Sequence, residues 1–296
     1  MHRTFNYVIS LTSATQRREH ITNEFSRQNI PFVFFDAVNW KENPSHPYLS
    51  QKLNKLLSQT DKLSEGEKGC LASHLALWQK CIDLNLPYIC IFEDDVILSQ
   101  RANQFLINNN WLKERFDLNE PFILRFETFL FPVEIHNTKI VDYLNYAFKE
   151  LNSNDYGTAG YLISKNAAKE LLFYISSFIA EELDPVDELI FNYFINKQTN
   201  KQTNKQTISV YQLSPAICIQ ELQINAENAI LPSQLNEMRE QRWKAEKSSR
   251  KIKLKQKSVK ELIYHLLTKP QRMLKKRQLK IEQRKAEEKR VVVRFE

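Results

Sequence analysis

Leu86-Pro-Tyr-Ile-Cys-Ile-Phe-Glu93-Asp94-Asp95-Val96 is a short apolar run that ends abruptly in three consecutive carboxylates. An apolar run of this length reads as a buried strand, and open α/β sheets place their ligands at the carboxyl ends of strands. The acids therefore fall where a ligand would sit. Side chains alternate along an extended chain, so Glu93 and Asp95 are expected on one side and Asp94 on the other. Carboxylates this close repel one another, and the usual relief is a divalent cation with oxygen ligands or a basic partner. The plain alternative is a solvated acidic turn.

The flanking sequence alternates strand and helix patterns. Residues 5–11 read as a strand, and Ser13 to Asn29 follows with Arg17, Arg18, Ile21 and Phe25 at helical spacing. Pro31 to Phe35 reads as a second strand, so a parallel sheet is expected. Asn39 to Thr60 is polar and reads as a loop. Ser64 and Glu67 form a capping-box pattern ahead of a helix carrying Leu71, Leu75, Trp78 and Ile82 on one side. After the acidic strand, Pro121 to Phe126 and Tyr161 to Ser164 read as further strands, and Ser164 can cap a helix from Lys165 to about Ser177. Asp184-Pro185 marks another helix start. This pattern over about 225 residues, without a Gly/Pro/Ser linker, predicts one α/β domain over residues 1–235.

Of the 296 residues, 42% are apolar and 11% aromatic, ample for a packed core. The formal charge of +7 is uneven: residues 1–238 carry 21 Lys+Arg against 28 Asp+Glu, whereas residues 239–296 carry 21 against 7. The basic character belongs to the tail, so the domain itself does not read as a nucleic-acid binder. In that tail Val259, Leu262, Ile263, Leu266 and Leu267 recur at helical spacing among lysines, predicting a basic amphipathic helical extension over residues 236–296. Such a helix suits an anionic membrane surface; packing on its own domain and RNA binding are the alternatives. Cys70, Cys81, Cys90 and Cys218 form no Cys-x-x-Cys pair, and the N-terminus lacks a signal-peptide core. A cytoplasmic protein, peripheral on the inner membrane, is expected.

Lys197 to Thr207 repeats Lys-Gln-Thr-Asn and is too polar to fold alone, so it is placed as a solvated loop. The codons AAA-CAA-ACA-AAC encode that unit and also form a tetranucleotide repeated three times. Slippage there would shift the reading frame, which predicts phase-variable expression.

Several segments together resemble glycosyltransferase family 25, the bacterial lipopolysaccharide and lipooligosaccharide sugar transferases. They are Tyr7 to Leu11 with Arg17-Arg18, Phe35-Asp-Ala-Val38, Glu65-Gly-Glu-Lys-Gly-Cys-Leu-Ala-Ser-His74, Phe92-Glu-Asp-Asp-Val96 and Gly157-Thr-Ala-Gly-Tyr-Leu-Ile-Ser164. The resemblance covers roughly residues 3–225. It implies a GT-A-like domain with a mixed, mostly parallel sheet, and a nucleotide-sugar donor, most often UDP-galactose. It further implies inverting transfer of a hexose to a lipid-linked lipooligosaccharide or lipopolysaccharide core.

In that resemblance Glu93-Asp94-Asp95 corresponds to an Asp-x-Asp-like motif, with Asp95 and Glu93 as ligands of Mn²⁺ or Mg²⁺ and Asp94 at the donor. A divalent ion would neutralise the charge developing on the nucleoside-diphosphate leaving group. The third ligand is open, because Ser214 to Gln220 holds no histidine; water, phosphate or Gln220 would fill the place. Asp187 corresponds to the acid expected to deprotonate the acceptor hydroxyl. Its plain alternative is a helix-end role, with Asp184 as N-cap, Pro185 at N1 and Asp187 at N3. His74 is a catalytic candidate by resemblance, although a histidine within a helix is more often a core residue. Ser10, Arg17, Lys68, Ser73, Thr158 and Gly160 are the remaining donor-site candidates, the lysine as a phosphate partner. The alternative enzyme is a metal-dependent phosphohydrolase or nuclease that holds nucleic acid with its tail; a non-catalytic scaffold is the third possibility.

Overall fold

The computed structural model describes residues 5–153, 155–193, 208–224 and 290–296. The polar repeat loop and the predicted amphipathic helix of the tail lie outside the described residues. Among those described, no helix is long and apolar enough to cross a membrane.

The chain opens with β1 (Asn6–Ser10), α1 (Thr15–Ser26) and β2 (Val33–Asp36), a parallel strand-helix-strand unit. Residues 39–60 are not all loop: α2 (Gln51–Gln59) buries Leu53, Leu56 and Leu57 and is capped by Ser50, whose hydroxyl accepts from the Leu53 N–H. The i, i+3, i+4 leucines carry that helix despite its polar surroundings. The next helix, α3 (Glu65–Asp83), begins with the expected Ser64/Glu67 capping box. It leads into β3 (Tyr88–Glu93), which is buried until its last residue, and after a two-residue turn into β4 (Val96–Leu98) and the one-turn helices α4 (Asn103–Leu106) and α5 (Asn110–Lys113).

Beyond it come β5 (Phe122–Arg125), the short strands β6 (Pro132–Val133) and β7 (Ile135–His136), β8 (Ala147–Leu151), and β9 (Gly160–Ser164). The expected Ser164 cap starts α6 (Lys165–Ser176), and β10 (Ser209–Ser214) and β11 (Cys218–Gln220) follow. Eight strands form one sheet in the order β2-β1-β3-β9-β5-β10-β8-β7. The sheet is mixed rather than purely parallel: β9 is antiparallel to both β3 and β5, and β8 to both β10 and β7. The other six strands share one direction, and this mixed α/β sheet is the GT-A-like architecture the resemblance implies.

Strand alternation splits the core into two layers. Tyr7, Ile9, Ile89, Ile91, Tyr161 and Ile163 face α3 and α6, while Val8, Cys90, Phe92, Leu124 and Leu162 join Ile21 and Phe25 of α1 on the other side. Each fully buried large apolar side chain of this kind contributes about 1.5–3 kcal/mol of transfer free energy. One consequence positions the site: Phe92 goes to the α1 side, so Glu93 turns toward α3.

The end of the chain departs from the expected tail. β12 (Val291–Val292) pairs antiparallel with β6, and Val293 is buried against the domain. Residues 291–296 belong with the first compact unit, Met1–Pro232, whereas Ser233–Arg290 forms a second. A Val-Val-Val run has strand rather than helix propensity, which is why Val291–Val292 pair as a strand where a helical extension to residue 296 is expected.

Candidate active site

Three chain segments meet at the acidic corner. Parallel pairing sets Ile9 opposite Glu93, so Ser10 reaches the turn and its hydroxyl donates to Asp94 Oδ2 at 2.7 Å. Arg17, in the first turn of α1, donates to Asp94 Oδ1 and lies 3.5 Å from Asp95 Oδ2 through the same nitrogen. Asp94 and Asp95 therefore share one cation, and the expected alternation stops with the strand at Glu93. Burial alone would lower the pKa of Arg17, but Asp95, Asp94 and Glu93 outweigh it and raise the value. One guanidinium does not satisfy the corner. Asp95 Oδ1 is buried without a hydrogen-bond partner, and burial, then Glu93, push this carboxyl up to about 7 against the pull of Arg17.

On the other side of the turn, β11 pairs with β4 so that Gln220 stands opposite Val96, and the Glu221 N–H donates to the Asp95 carbonyl at 2.9 Å. Gln220, the non-histidine candidate, is thus brought to the acids together with Glu221, a buried carboxylate that sequence reasoning missed.

The Gly-x-x-x-Ser-His pattern on α3 divides its work by helix face. A side chain on Gly69 would collide with the Val38 carbonyl, and the Ser73 hydroxyl donates to Gly69 O at 2.7 Å while accepting from the Val38 N–H at 2.9 Å. Gly69 and Ser73 clamp the loop after β2, so Ser73 is fully buried and its hydroxyl is spent on backbone. Lys68 is also buried and pairs with Glu65 at 3.2 Å.

His74 turns to the sheet, where Nδ1 lies 2.7 Å from the Tyr161 hydroxyl, which also accepts from Trp78 Nε1 at 2.9 Å. Indole only donates, so the assignment that uses the Tyr161 hydroxyl proton has that hydroxyl donating to His74 Nδ1. The imidazole then carries its proton on Nε2. That nitrogen has no hydrogen-bond partner and lies 3.7 Å from Glu93 Oε1.

A third set of acids converges on the turn into β9. Thr158 donates to Glu93 Oε1 at 2.7 Å, the Ala159 N–H to Glu127 Oε2 at 2.8 Å, and the Gly157 N–H to Asp187 Oδ2 at 3.3 Å. Gly157 has φ +83° and a side chain there would strike the Glu127 carboxylate; one on Gly160 would strike Cys218 Sγ. Both glycines are steric requirements of this packing. Asp187 is not the N3 residue of an Asp184-capped helix. Asp184 pairs with Lys62 at 2.7 Å, and Asp187 accepts from the Glu188 N–H at 3.1 Å as well as from Gly157.

Glu127 was not anticipated. It is fully buried, its Oε1 lacks a partner, and burial holds its carboxyl well above the usual range, with Arg125 opposing and Glu93 adding to the shift. The signal was present, because Arg125-Phe-Glu127 ends the next forward strand as Glu93-Asp94-Asp95 ends β3. Arg125, nearly inaccessible, bonds Asp155, the Tyr156 carbonyl and Gln212.

The donor set fits a hard divalent cation. Asp95 offers an unpartnered carboxylate oxygen at elevated pKa beside Glu93, and carboxylate oxygens suit Mg²⁺ or Mn²⁺. Cys70, His74 and Glu93 also bring one donor atom each within 4.8 Å of one another. There His74 Nε2 faces Glu93 Oε1 at 3.7 Å, too far for a hydrogen bond. None of the four cysteines is in a disulfide.

The profile of glycosyltransferase family 25 (LPS biosynthesis protein) matches residues 3–190. The chain is 44% identical over 271 residues to lipooligosaccharide biosynthesis protein lic2B of Haemophilus influenzae, covering 92% of this chain and 93% of that one. It is 40% identical to lipooligosaccharide biosynthesis protein lex-1 of H. influenzae, with 88% and 91% covered. To the lacto-N-neotetraose biosynthesis glycosyltransferase LgtE of Neisseria gonorrhoeae it is 41% identical, with 80% and 82% covered.

Proposed function

The chain belongs to glycosyltransferase family 25, and we propose that it transfers a hexose, galactose being the one expected, from a UDP-sugar to a lipooligosaccharide core acceptor with inversion. One observation carries the reading: Glu93, Glu127 and Asp187 all bond the Gly157–Ala159 turn, beside a corner where Asp95 keeps an unpartnered oxygen. Asp95, with Glu93, would hold Mn²⁺ or Mg²⁺, which supplies charge neutralisation for the departing diphosphate. Ser10 and Arg17 fix Asp94 and so set the shape of the turn. Thr158 orients Glu93 by a hydrogen bond, and His74 Nε2 faces the same carboxylate at 3.7 Å. Asp187 accepts the proton of the attacking acceptor hydroxyl, and the Gly157 and Glu188 N–H groups hold its carboxylate in place.

Replacing Asp187→Asn is expected to reduce transfer by at least about a hundredfold, in the range of a lost general base, while UDP affinity stays within experimental error. Full turnover by that variant overturns the assignment. The excess of 14 positive charges over residues 239–296 supports placement against an anionic membrane, where a lipid-linked acceptor resides. The repeat at Lys197 to Thr207 supports phase-variable expression; mixed synonymous codons in the gene would end that idea.

A further inference from the structure

Three aromatic side chains stand together outside the acidic cleft. Phe129 and Phe131 have ring centroids 5.2 Å apart, and Tyr156 lies 6.3 Å from each, edge-on to Phe131. Phe131 is 52% exposed and Tyr156 45%, with Leu130 also open to solvent. Large apolar groups gathered on a surface mark a binding site more often than chance exposure does. Two features show that this group is built. Leu130 adopts φ +57°, a costly conformation for a branched side chain, at the turn that carries Phe129 and Phe131. The Tyr156 backbone is tied at both ends: its carbonyl accepts from the buried Arg125, and its N–H donates to Asp155 at 2.8 Å.

The trio is continuous with the proposed catalytic groups. Phe129 is two residues from Glu127, and Tyr156 directly precedes Gly157, whose N–H holds Asp187. From Phe129 to Val133 the chain carries no ionisable side chain, which suits an uncharged ligand and not a phosphate. We propose that Phe129, Phe131 and Tyr156 form the acceptor subsite, against which the apolar C–H face of a neutral pyranose of the acceptor oligosaccharide stacks. This assignment rests on the glycosyltransferase reading.

The returning end of the chain positions the platform. β12 pairs with Pro132–Val133 directly after Phe131, and Thr128 donates to the Val293 carbonyl at 2.7 Å while accepting from the Leu130 N–H at 3.1 Å. Residues 291–296 thus grip the aromatic loop on both sides of Phe131.

Saturation-transfer NMR on the full chain, with a deacylated lipooligosaccharide core oligosaccharide as probe and UDP binding measured in parallel, tests the proposal. Phe131→Ala and Tyr156→Ala are expected to weaken oligosaccharide binding about tenfold or more, equivalent to about 1.4 kcal/mol, with UDP affinity and melting temperature unchanged. Tyr156→Phe, which keeps the ring, should bind as the wild type does. Equal oligosaccharide binding by the alanine variants overturns the platform while leaving the transferase reading intact. So does a wild type that hydrolyses UDP-galactose yet binds no oligosaccharide. Failure of the wild type to bind UDP or cleave any UDP-sugar strikes instead at the transferase reading.

Discussion

Single carboxylates carry most of the proposed chemistry, and their environments differ although their side-chain group does not. Asp94 accepts hydrogen bonds from Ser10 and Arg17, while Asp95 is pushed up to about 7 by burial and Glu93, against an ordinary 3.8. A carboxyl whose folded pKa exceeds its unfolded value stabilises the fold below the unfolded pKa, and that contribution is lost as pH rises through the folded pKa. In EDTA, the melting temperature is therefore expected to fall between about pH 4 and pH 7, with a shallower fall in Asp95→Asn. A cation must displace the Asp95 proton, so Mn²⁺ affinity measured by calorimetry should climb toward pH 7 and then level off; a flat profile would remove Asp95 from the ligand set. Burial also holds the Glu127 carboxyl above the usual range, with Arg125, 3.7 Å away, opposing. Glu127→Gln keeps an acceptor for the Ala159 N–H and should retain transfer, while Glu127→Ala leaves that N–H unpaired and should lose stability by about 1–3 kcal/mol and most activity. Equal damage from both would assign the residue a charged role.

Secondary-structure elements place these groups through close contacts that tolerate little added volume. Gly160 sits against Cys218 Sγ where β9 passes the strand that supplies Gln220, and Gly69 lets α3 approach the loop after β2. Gly160→Ala is expected to cost about 1–3 kcal/mol by overpacking, read as a lower denaturant midpoint at unchanged slope. Replacement of Cys218 by Ala in the same chain should recover part of that loss, since the collision is with a single sulfur. Ser64→Ala, which removes one half of the capping box on α3, should cost about 1 kcal/mol without changing the acceptor or donor KM. At this scale β1, α1, β3, α3, β9 and α6 were legible from apolar period and caps. α2 is hidden by its polar composition, and only the spacing of its three leucines marks it. The reversal of β9 was not legible, because a buried strand looks the same in either direction.

Across the whole molecule, an acidic domain and a strongly basic stretch are joined in one chain. Co-sedimentation of the full chain with anionic vesicles is therefore expected to be strong at low ionic strength and to weaken steeply by about 0.5 M salt, where screening shortens to a few Å. Binding insensitive to salt and to lipid charge would argue against the electrostatic role. The sequence by itself determined the α/β class, the family, the acidic corner and the presence of His74, Thr158 and Asp187 in ordered motifs, because apolar period, caps and short motifs are local properties of a chain. Only the tertiary structure decided which of those residues meet. It committed Ser73 to the backbone, gave Arg17 to two aspartates, added Glu127 and Glu221 to the site, and returned Val291–Val292 to β6. Each of these depends on contacts between residues far apart in the chain, and neither burial nor pairing at such distances is written in the spacing of neighbouring residues.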